Sequence, residues 1–541
     1  MKSYWIESVK NKKKYDKLKS NIDVDVCIIG GGLTGISTAY KLKNKGLKVI
    51  LLEKDRIGES TSGNSTAKIT SQHGLIYKYL TDLQGIDFAK LYYQANEEAI
   101  KNIYETIKKE KIDCDFEFQD AYVFTQKIQE SEKIKDEVEI IKKFGGSAEL
   151  VSGDKIPISK LKNVQNVDNS DEKLDITVNN LSNATMRKEN RDINKKVEAM
   201  IPINPIIGIK FEKQAQFNPY KYLYSLASIC QKAGINIFEN TKVIDVNEQD
   251  NNYEIITNEG YKVIAKNIIL ATKYPIINIP GFYFMKMYQS TSYAIGMEVD
   301  KKIFDGMYIN VEKPTISLRM AKYNDKYLLI VVGFDNKTGE KMDNENVYRY
   351  LEEIARNIYP KGKVRYHWNT EDCISLDKIP YIGRFSNIWK NVFVATGFNK
   401  WGITSSEIAS KIITDMILEK QNDYSRIFKA TRLEPIKNMK EFNNMIKESV
   451  NGIVIKKVQI PNEEINQIQE EEGKIVEING NKLGVFKEKG GKIYTIKPIC
   501  KHLGCELSWN NLDKTWDCPC HGSRYDYKGN LLYGPSIKNL E

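Results

Sequence analysis

Residues 23–35 read DVDVCIIGGGLTG, a β-branched run that ends in a cluster of glycines. A parallel sheet buries such runs on both faces, so residues 23–30 predict a strand. The turn that follows, Gly30-Gly31-Gly32-Leu33-Thr34-Gly35, fits G-x-G-x-x-G. In that pattern Gly30 permits the tight turn, Gly32 lets the backbone approach a pyrophosphate, and Gly35 lets helix and strand pack closely. Residues 36–45 carry small and apolar side chains on one face and predict a helix that Gly46 stops. The N-terminus of that helix offers phosphate its free N–H groups and its dipole. A second strand, KVILLEK over residues 48–54, ends at Glu53, about twenty residues on, where a carboxylate binds a ribose hydroxyl pair and repels a 2′-phosphate. Together these elements predict a dinucleotide-binding α/β domain. The motif alone does not separate NAD from FAD.

The rest of the chain bounds what surrounds this unit. Its 541 residues leave room for three to four domains at ~150 residues each. A hydrophobic fraction of 41% beside a charged fraction of 28% excludes wholesale disorder. The longest apolar runs, such as residues 327–334, fall far short of the ~20 residues that cross a bilayer, so no transmembrane segment is expected. The opening MKSYWIESVKNKKK has neither the apolar core of a signal peptide nor a twin-arginine pair, and a cytoplasmic protein is expected. The net charge of +10 is spread over the chain. Its densest run, Lys10, Lys12, Lys13, Lys14, Lys17 and Lys19, has no aromatic stacking platform interleaved, and reads as a solvated segment with no nucleic-acid partner.

Beyond the second strand the sequence resembles the glycine/D-amino-acid oxidase (DAO) family of FAD enzymes. The Gly/Ser-rich residues 58–68, ending Thr66-Ala67-Lys68, look like the segment that follows the family's dinucleotide fingerprint. Gln216-Phe217-Asn218-Pro219 opens a helix, and GINIFENTKVIDV at 234–246 resembles the strand pair whose valine, here Val243, meets the adenine end of FAD. IILAT at 268–272, with Ala271 and Thr272, resembles the strand leading back to the cofactor. Residues 379–384 (IPYIGR) and 392–404 (VFVATGFNKWGIT) match the closing motif, a strand, a glycine turn and a helix aimed at the flavin. The resemblance therefore implies FAD contacts at Gly397, Trp401, Gly402 and Thr404. A helix starting near Thr404 is itself a second N-terminus able to face an anionic group.

Two departures narrow the reading. No second G-x-G-x-x-G occurs, which disfavours a tandem FAD and NAD(P)H reductase. Amino-acid oxidases of this family commonly carry an arginine shortly before the P-Y-I-G motif to hold the substrate carboxylate, whereas here residues 370–377 read TEDCISLD. An acidic pair at that place suits an amine or another cation. Arg319 and Lys400 remain candidate anion holders, with structural charges the competing reading. Cys373 reads as a buried thiol rather than a flavin tether. No general base is identified, and the catalytic residues stay unassigned.

The eight cysteines divide into four that are scattered (Cys27, Cys114, Cys230, Cys373) and four that crowd residues 500–520. From residue 451 the texture changes to short alternating segments at 473–478, 482–487 and 492–497, punctuated by Asn479-Gly480 and Gly490-Gly491, as in an antiparallel β domain. Then come CKHLGC at 500–505 and CPCHGS at 518–523. Two thiolates and two imidazoles can make a tetrahedral zinc site. The C-x-H and C-x-x-H pairing, with a further cysteine on each loop, resembles the Rieske [2Fe–2S] domain. That resemblance implies Cys500 and Cys518 on one iron and His502 and His521 on the other. It also implies a disulfide between Cys505 and Cys520, as in Rieske proteins of cytochrome bc complexes, and cluster-tuning hydroxyls at Ser523 and Tyr525. Gly534-Pro535 resembles the loop that covers the cluster.

The expected fold class is an α/β, Rossmann-like FAD-binding domain with an α+β substrate domain, followed by a small all-β Rieske domain. The expected division is 20–425 for the flavin body, with its FAD part at about 20–75, 210–280 and 376–425 and its substrate part at about 76–209 and 281–375. A helical linker at 426–454 and the Rieske domain at 455–541 complete it. The expected activity is that of a FAD-dependent dehydrogenase acting on a C–N bond of a small-molecule amine or amino acid. Its fused cluster hands electrons to an acceptor, a protein or a quinone. The alternatives are a reductase feeding a partner oxygenase and a non-catalytic redox sensor. A Rieske oxygenase is disfavoured because only His73 and His367 remain, far apart, for a mononuclear iron.

Overall fold

The strand predicted at the glycine turn runs over Ile22–Ile29 and lies inside an eight-stranded sheet. Lys262–Leu270 flanks it on one side and Val49–Leu52 on the other, both parallel to it, and Asn236–Phe238 continues the parallel order beyond Val49–Leu52. Val392–Thr396 extends the sheet beyond Lys262–Leu270, and Tyr381–Arg384 closes that edge antiparallel. Val26, Cys27, Ile28, Ile50 and Leu51 are all buried, the two-sided burial that the β-branched run implied. The register pairs Ile29 with both Leu52 and Leu270. Three parallel strands therefore end at one level, and Gly30, Glu53 and Ala271 follow directly at the carboxyl edge, where open α/β sheets bind ligands.

The helix after the glycine turn spans Leu33–Leu42, with Gly32 as its N-cap. It starts three residues earlier than expected, because the turn's last three residues already belong to it, and it ends four residues before Gly46. It packs on a second buried helix, Gly402–Ile417, through a hydrogen bond between the Thr34 and Ser406 hydroxyls (2.9 Å) and a Lys41–Glu407 ion pair (2.6 Å). Asn218 caps the helix Pro219–Lys232 by accepting from the N–H groups of Tyr220 and Lys221, as its Asn-Pro signal predicts.

A nine-stranded sheet stands against this body. Its order is Lys363–Ser375, Met287–Val299, Lys326–Lys337, Ile316–Tyr323, Met307–Asn310, Glu117–Thr125, Ile207–Gln216 and Lys68–Ile69, with Glu149–Ser152 paired to Ile207–Gln216. The strand Ile207–Gln216 lies wholly in this second sheet, so the expected boundary at 210 falls inside an element. Helix Val347–Ile358 buries one face, including Leu351, Ile354 and Ile358, against the sheet's apolar core.

The C-terminal region is all β, with a three-stranded sheet (Glu472–Ile478, Asn481–Lys487, Ile493–Ile496) and a four-stranded one (Ser508–Asn510, Thr515–Asp517, Arg524–Asp526, Leu531–Tyr533). The computed structural model describes residues 3–159, 161, 203–340, 346–432, 468–478 and 481–541. The expected linker therefore lies outside the described residues from 433 onward; within residues 426–432 no α-helix forms. No helix among the described residues is long and apolar enough to cross a membrane.

Candidate functional site

The carboxyl edge of the parallel strands opens into a cavity of about 390 Å³. Gly30, Gly32, Glu53, Thr66, Lys68, Val243, Ala271, Thr272, Gly397, Trp401 and Gly402 line it. The three fingerprint glycines differ in what they do. A Cβ on Gly30, whose φ is +110°, would lie 2.5 Å from the Ala271 carbonyl, and one on Gly35 would lie 2.0 Å from the Gly30 carbonyl. Both serve close packing. A Cβ on Gly32 would meet only the Ser62 hydroxyl, at 3.0 Å. Gly32 is the glycine that leaves backbone open to the cavity, at the mouth of a helix that it caps without a side chain of its own. The Ser62 hydroxyl accepts from the Leu33 N–H (3.0 Å).

Glu53 points into the same crevice. Its two oxygens accept from the N–H groups of Gly31 (2.7 Å) and Asp55 (3.0 Å), which leaves lone pairs for further donors. Ala67 and Thr404 stand behind the wall. Ala67 adopts φ +61° and gives its carbonyl to Arg319 (2.6 Å), and the Thr404 hydroxyl faces His73. Arg319 also takes the Thr66 carbonyl (3.0 Å) and lies over the Trp5 ring, so it fastens this turn and is no free anion holder. Behind Trp401 lie Tyr92 and Thr70, which nothing in the sequence singles out, holding His73. Trp401 stacks on His73 with ring centroids 4.6 Å apart. Burial drives His73 down to about 3, keeping the imidazole neutral between the Tyr92 hydroxyl and the Thr70 carbonyl. His367 bonds Glu352 (2.8 Å) on another element, so the two histidines do not share a site.

The second sheet supplies the opposite wall. Lys68 donates to the Tyr308 carbonyl (2.9 Å) and the Ser317 hydroxyl, and burial lowers its pKa to about 7. Asp335 is held by Lys400 (2.9 Å) and Lys313 (3.0 Å). Thr370, Asp372 and Cys373 also line the cavity. Burial pushes the Cys373 thiol up to about 12, the behaviour of an inert thiol.

The two cysteine loops of the C-terminal region are built alike. The Cys500 N–H donates to the Cys505 carbonyl (2.8 Å) and the Gly504 N–H to the Cys500 carbonyl (3.0 Å). The Cys518 N–H donates to the Ser523 carbonyl (2.8 Å) and the Gly522 N–H to the Cys518 carbonyl (2.9 Å). Gly504 and Gly522 supply the left-handed fifth position of each loop, at φ +80° and +82°. Cys505 and Cys520 form a disulfide between the loops, with Cα atoms 6.6 Å apart. Cys500 and Cys518 keep free, buried thiols. The His502 and His521 rings lie edge to face at 4.9 Å. The Nδ1 atoms of both are buried without a partner among the described residues. Buried polar atoms are otherwise paired almost everywhere in proteins. Two orphaned imidazole nitrogens beside two free thiols are the donor set that a Rieske cluster takes. The Tyr525 hydroxyl lies 3.6 Å from the Cys500 sulfur, and the Ser523 hydroxyl accepts from the Ser536 N–H (3.0 Å), leaving its own proton to point elsewhere.

These loops face the flavin body. The Gln289 amide donates to the carbonyls of His521 (3.1 Å), Gly522 (2.9 Å) and Gly534 (2.5 Å). His502 Nε2 meets Asn278 Oδ1 at 3.1 Å, and Phe284 packs edge to face on both histidines. Arg524, fully buried, reaches across to Glu371 (2.6 Å) while holding Asp513 (2.7 Å) and Asp517 (2.9 Å) on its own side. Lys273 joins the same Glu371 (3.0 Å) and lies over the Tyr533 ring. Tyr533, Gly534, Pro535, Ser536 and Ile537 line the cavity itself. Lys54 and Lys242 of the flavin body fasten that segment through the carbonyls of Leu532 (2.8 Å) and Ile537 (2.9 Å). The C-terminal region thus forms part of the cavity wall.

Comparison with known proteins assigns both halves. Residues 25–416 match the family FAD dependent oxidoreductase (DAO), and residues 459–541 match the Rieske [2Fe-2S] domain. Over 539 residues, 100% of this chain and 97% of the relative, the chain is 31% identical to YhfW of Bacillus subtilis (strain 168), a protein named for a Rieske 2Fe-2S iron-sulfur centre. Among solved structures it is similar to glycine oxidase from Geobacillus kaustophilus, with a TM-score of 0.57 and 15% identity over 76% of this chain and 99% of that one. It is equally similar to L-proline dehydrogenase from P. horikoshii, with a TM-score of 0.57 and 15% identity over 77% and 99%. At such identities the likeness shows the fold.

Proposed function

Because the chain belongs to the FAD dependent oxidoreductase (DAO) family and ends in a Rieske [2Fe-2S] domain, we propose that it is a dehydrogenase for a C–N bond that exports electrons through its own cluster. The substrate, an amine or amino acid, loses a hydride from carbon and a proton from nitrogen to become an imine. The two electrons leave one at a time for an external acceptor, a protein or a quinone. FAD, when bound, supplies the hydride-accepting chemistry, and the cluster supplies one-electron transfer.

The chain's own residues position and insulate. In this reading Gly30, Gly32, Gly35, Glu53, residues 66–68, Val243, Ala271, Thr272, Gly397, Trp401, Gly402 and Thr404 hold FAD, directly or by shaping the turns beneath it. Cys500 and Cys518 bind one iron, His502 and His521 the other, and Ser523 and Tyr525 raise the potential by donating towards sulfur. The domain division is the one read from the sequence, except that the whole strand Ile207–Gln216 goes with the second sheet. The reading extends to a cytoplasmic location, which cell fractionation tests.

The observation that carries the reading is the docked Rieske domain. Its histidine edge rests on Asn278, Phe284 and Gln289, and its residues 533–537 wall the cavity that opens on the glycine turn. A cluster fixed against the flavin cavity suits internal transfer better than two cofactors serving separate partners. The test is anaerobic rapid mixing of holoprotein with a panel of amines and amino acids, following flavin and cluster absorbance separately. Substrate should bleach the flavin first and the cluster next, at a rate independent of protein concentration. In full-length His521→Ala, flavin reoxidation by an external acceptor should slow sharply. Equal reoxidation without the cluster refutes the export role, and bleaching by NADH but by no amine favours a reductase.

A further inference from the structure

The strand Lys363–Ser375 brings Thr370 and Asp372 onto one face, two residues apart, while Glu371 between them points the opposite way into Arg524 and Lys273. Thr370 and Asp372 both line the cavity. Every other charged side chain on that wall has a partner: Asp335 has Lys313 and Lys400, and Lys68 has the Tyr308 carbonyl and Ser317. Among the described residues the Asp372 carboxylate makes no hydrogen bond or ion pair. The Thr370 hydroxyl is likewise unpartnered, in a residue only 8% exposed. Ser292, opposite Thr370 in the sheet register, lines the cavity beside them. The buried Thr370 hydroxyl is left without a partner and the Asp372 carboxylate faces the cavity beside it, an arrangement that a donor-bearing ligand completes.

We infer that Asp372, with Thr370 and Ser292, is the recognition point for a positively charged amino group of the substrate, so that the cavity selects compounds carrying an ammonium and rejects those anchored by a carboxylate. The inference rests on the reading of this cavity as the substrate end of a FAD enzyme. An ammonium has three N–H donors and no acceptor, which suits a carboxylate flanked on the same wall by two hydroxyl-bearing residues. The cations nearest Asp372, Lys400 and Lys273, are committed to Asp335 and Glu371, and Lys68 on the same wall is held by the Tyr308 carbonyl and Ser317, so an incoming carboxylate must compete for each of them. Burial raises the Asp372 carboxyl above its usual range, with Lys400 and Lys273 opposing the rise and Glu371 and Asp335 adding to it. An arriving cation stabilises the ionised form and offsets that burial.

The test is a binding titration on oxidised holoprotein, read as the flavin difference spectrum, with n-butylamine, butyrate and n-butanol as probes. Wild type should half-saturate with butylamine at a concentration at least about tenfold below that for butyrate, the discrimination expected of one charge-assisted hydrogen bond. Asp372→Asn should weaken butylamine at least about tenfold and leave butanol unchanged, Thr370→Val should weaken butylamine severalfold, and Asp372→Arg should reverse the preference to butyrate. Equal butylamine affinity in wild type and Asp372→Asn overturns the inference, as does a wild-type preference for butyrate. If Asp372→Asn loses flavin, Thr370→Val and the wild-type probe order decide. Binding without any flavin reduction refutes C–N oxidation and leaves the subsite standing. Reduction by amines with a KM indifferent to Asp372 does the reverse.

Discussion

Glu371→Gln isolates the electrostatic half of the domain interface. In the folded protein Glu371 is 1% exposed and is shared by Arg524 from the Rieske side and Lys273 from the flavin side. The substitution leaves Arg524 with Asp513 and Asp517, its partners within the Rieske domain, but removes its one carboxylate across the interface. Removing one partner of a buried ion pair costs about 3–5 kcal/mol. The glutamine oxygen still accepts a hydrogen bond, so the lower end applies, and about 3 kcal/mol is roughly a hundredfold in the docking equilibrium. Hydrogen exchange of the amides in residues 518–523 and 531–536 measures that equilibrium, because opening limits their exposure. The variant should exchange there roughly a hundredfold faster, while the parallel sheet around Ile28 keeps its protection.

The pH dependence gives an independent check. Burial tends to raise the Glu371 carboxyl, but Lys273 and Arg524 outweigh it and hold it below its ordinary 4.5. A depressed carboxyl contributes stability above its unfolded value and loses it as pH falls through the folded one. Docking should therefore be constant from neutrality to about pH 5 and loosen in stronger acid, and Glu371→Gln should lack that acid loosening. Unchanged exchange in the variant, at any pH, would show that the remaining interface contacts hold the domain without the Glu371 charge and refute the reasoning.

Further outcomes follow from the cofactor sites. Gly32→Val should yield folded protein without flavin, read as the ratio of 450 nm to 280 nm absorbance, because the branched side chain fills the one open approach to the helix N-terminus. Ser523→Ala should lower the cluster potential by roughly 40–65 mV, the equivalent of one hydrogen bond of ~1–1.5 kcal/mol to the reduced state, as read by protein-film voltammetry; Tyr525→Phe should act in the same direction.

What the sequence announced and what it withheld differ in a physical way. The glycine turn, Glu53, the Asn218 cap and the two cysteine loops each depend on a few adjacent residues with restricted backbone or ligand chemistry, so their spacing carries the information. The nine-stranded sheet does not. Its long strand Met287–Val299 is buried along nearly its whole length, which erases the alternation that marks a half-solvated strand. Arg319 and His73 were ambiguous because a buried cation and a buried neutral imidazole take their meaning from distant partners, here the carbonyls of Thr66 and Ala67 and the ring of Trp401. The acidic pair before the P-Y-I-G motif was visible as two carboxylates. Only the pleat separates them, sending Glu371 to the interface and Asp372 to the cavity. The interface itself had no local signal, since Gln289, Glu371 and Arg524 lie far apart in the chain and meet only once both domains have folded.

The wall formed by residues 533–537 also orders events in time. It is synthesised long after the glycine turn it faces, in a small domain built around two metal-binding loops, the kind of site where binding and folding are linked. In the folded protein that wall is clamped over the strand ends by Lys54, Lys242 and the Glu371 cluster. Protein made under iron limitation should therefore retain less flavin than iron-replete protein, read as the ratio of 450 nm to 280 nm absorbance; equal retention would show that this wall stands without its metal.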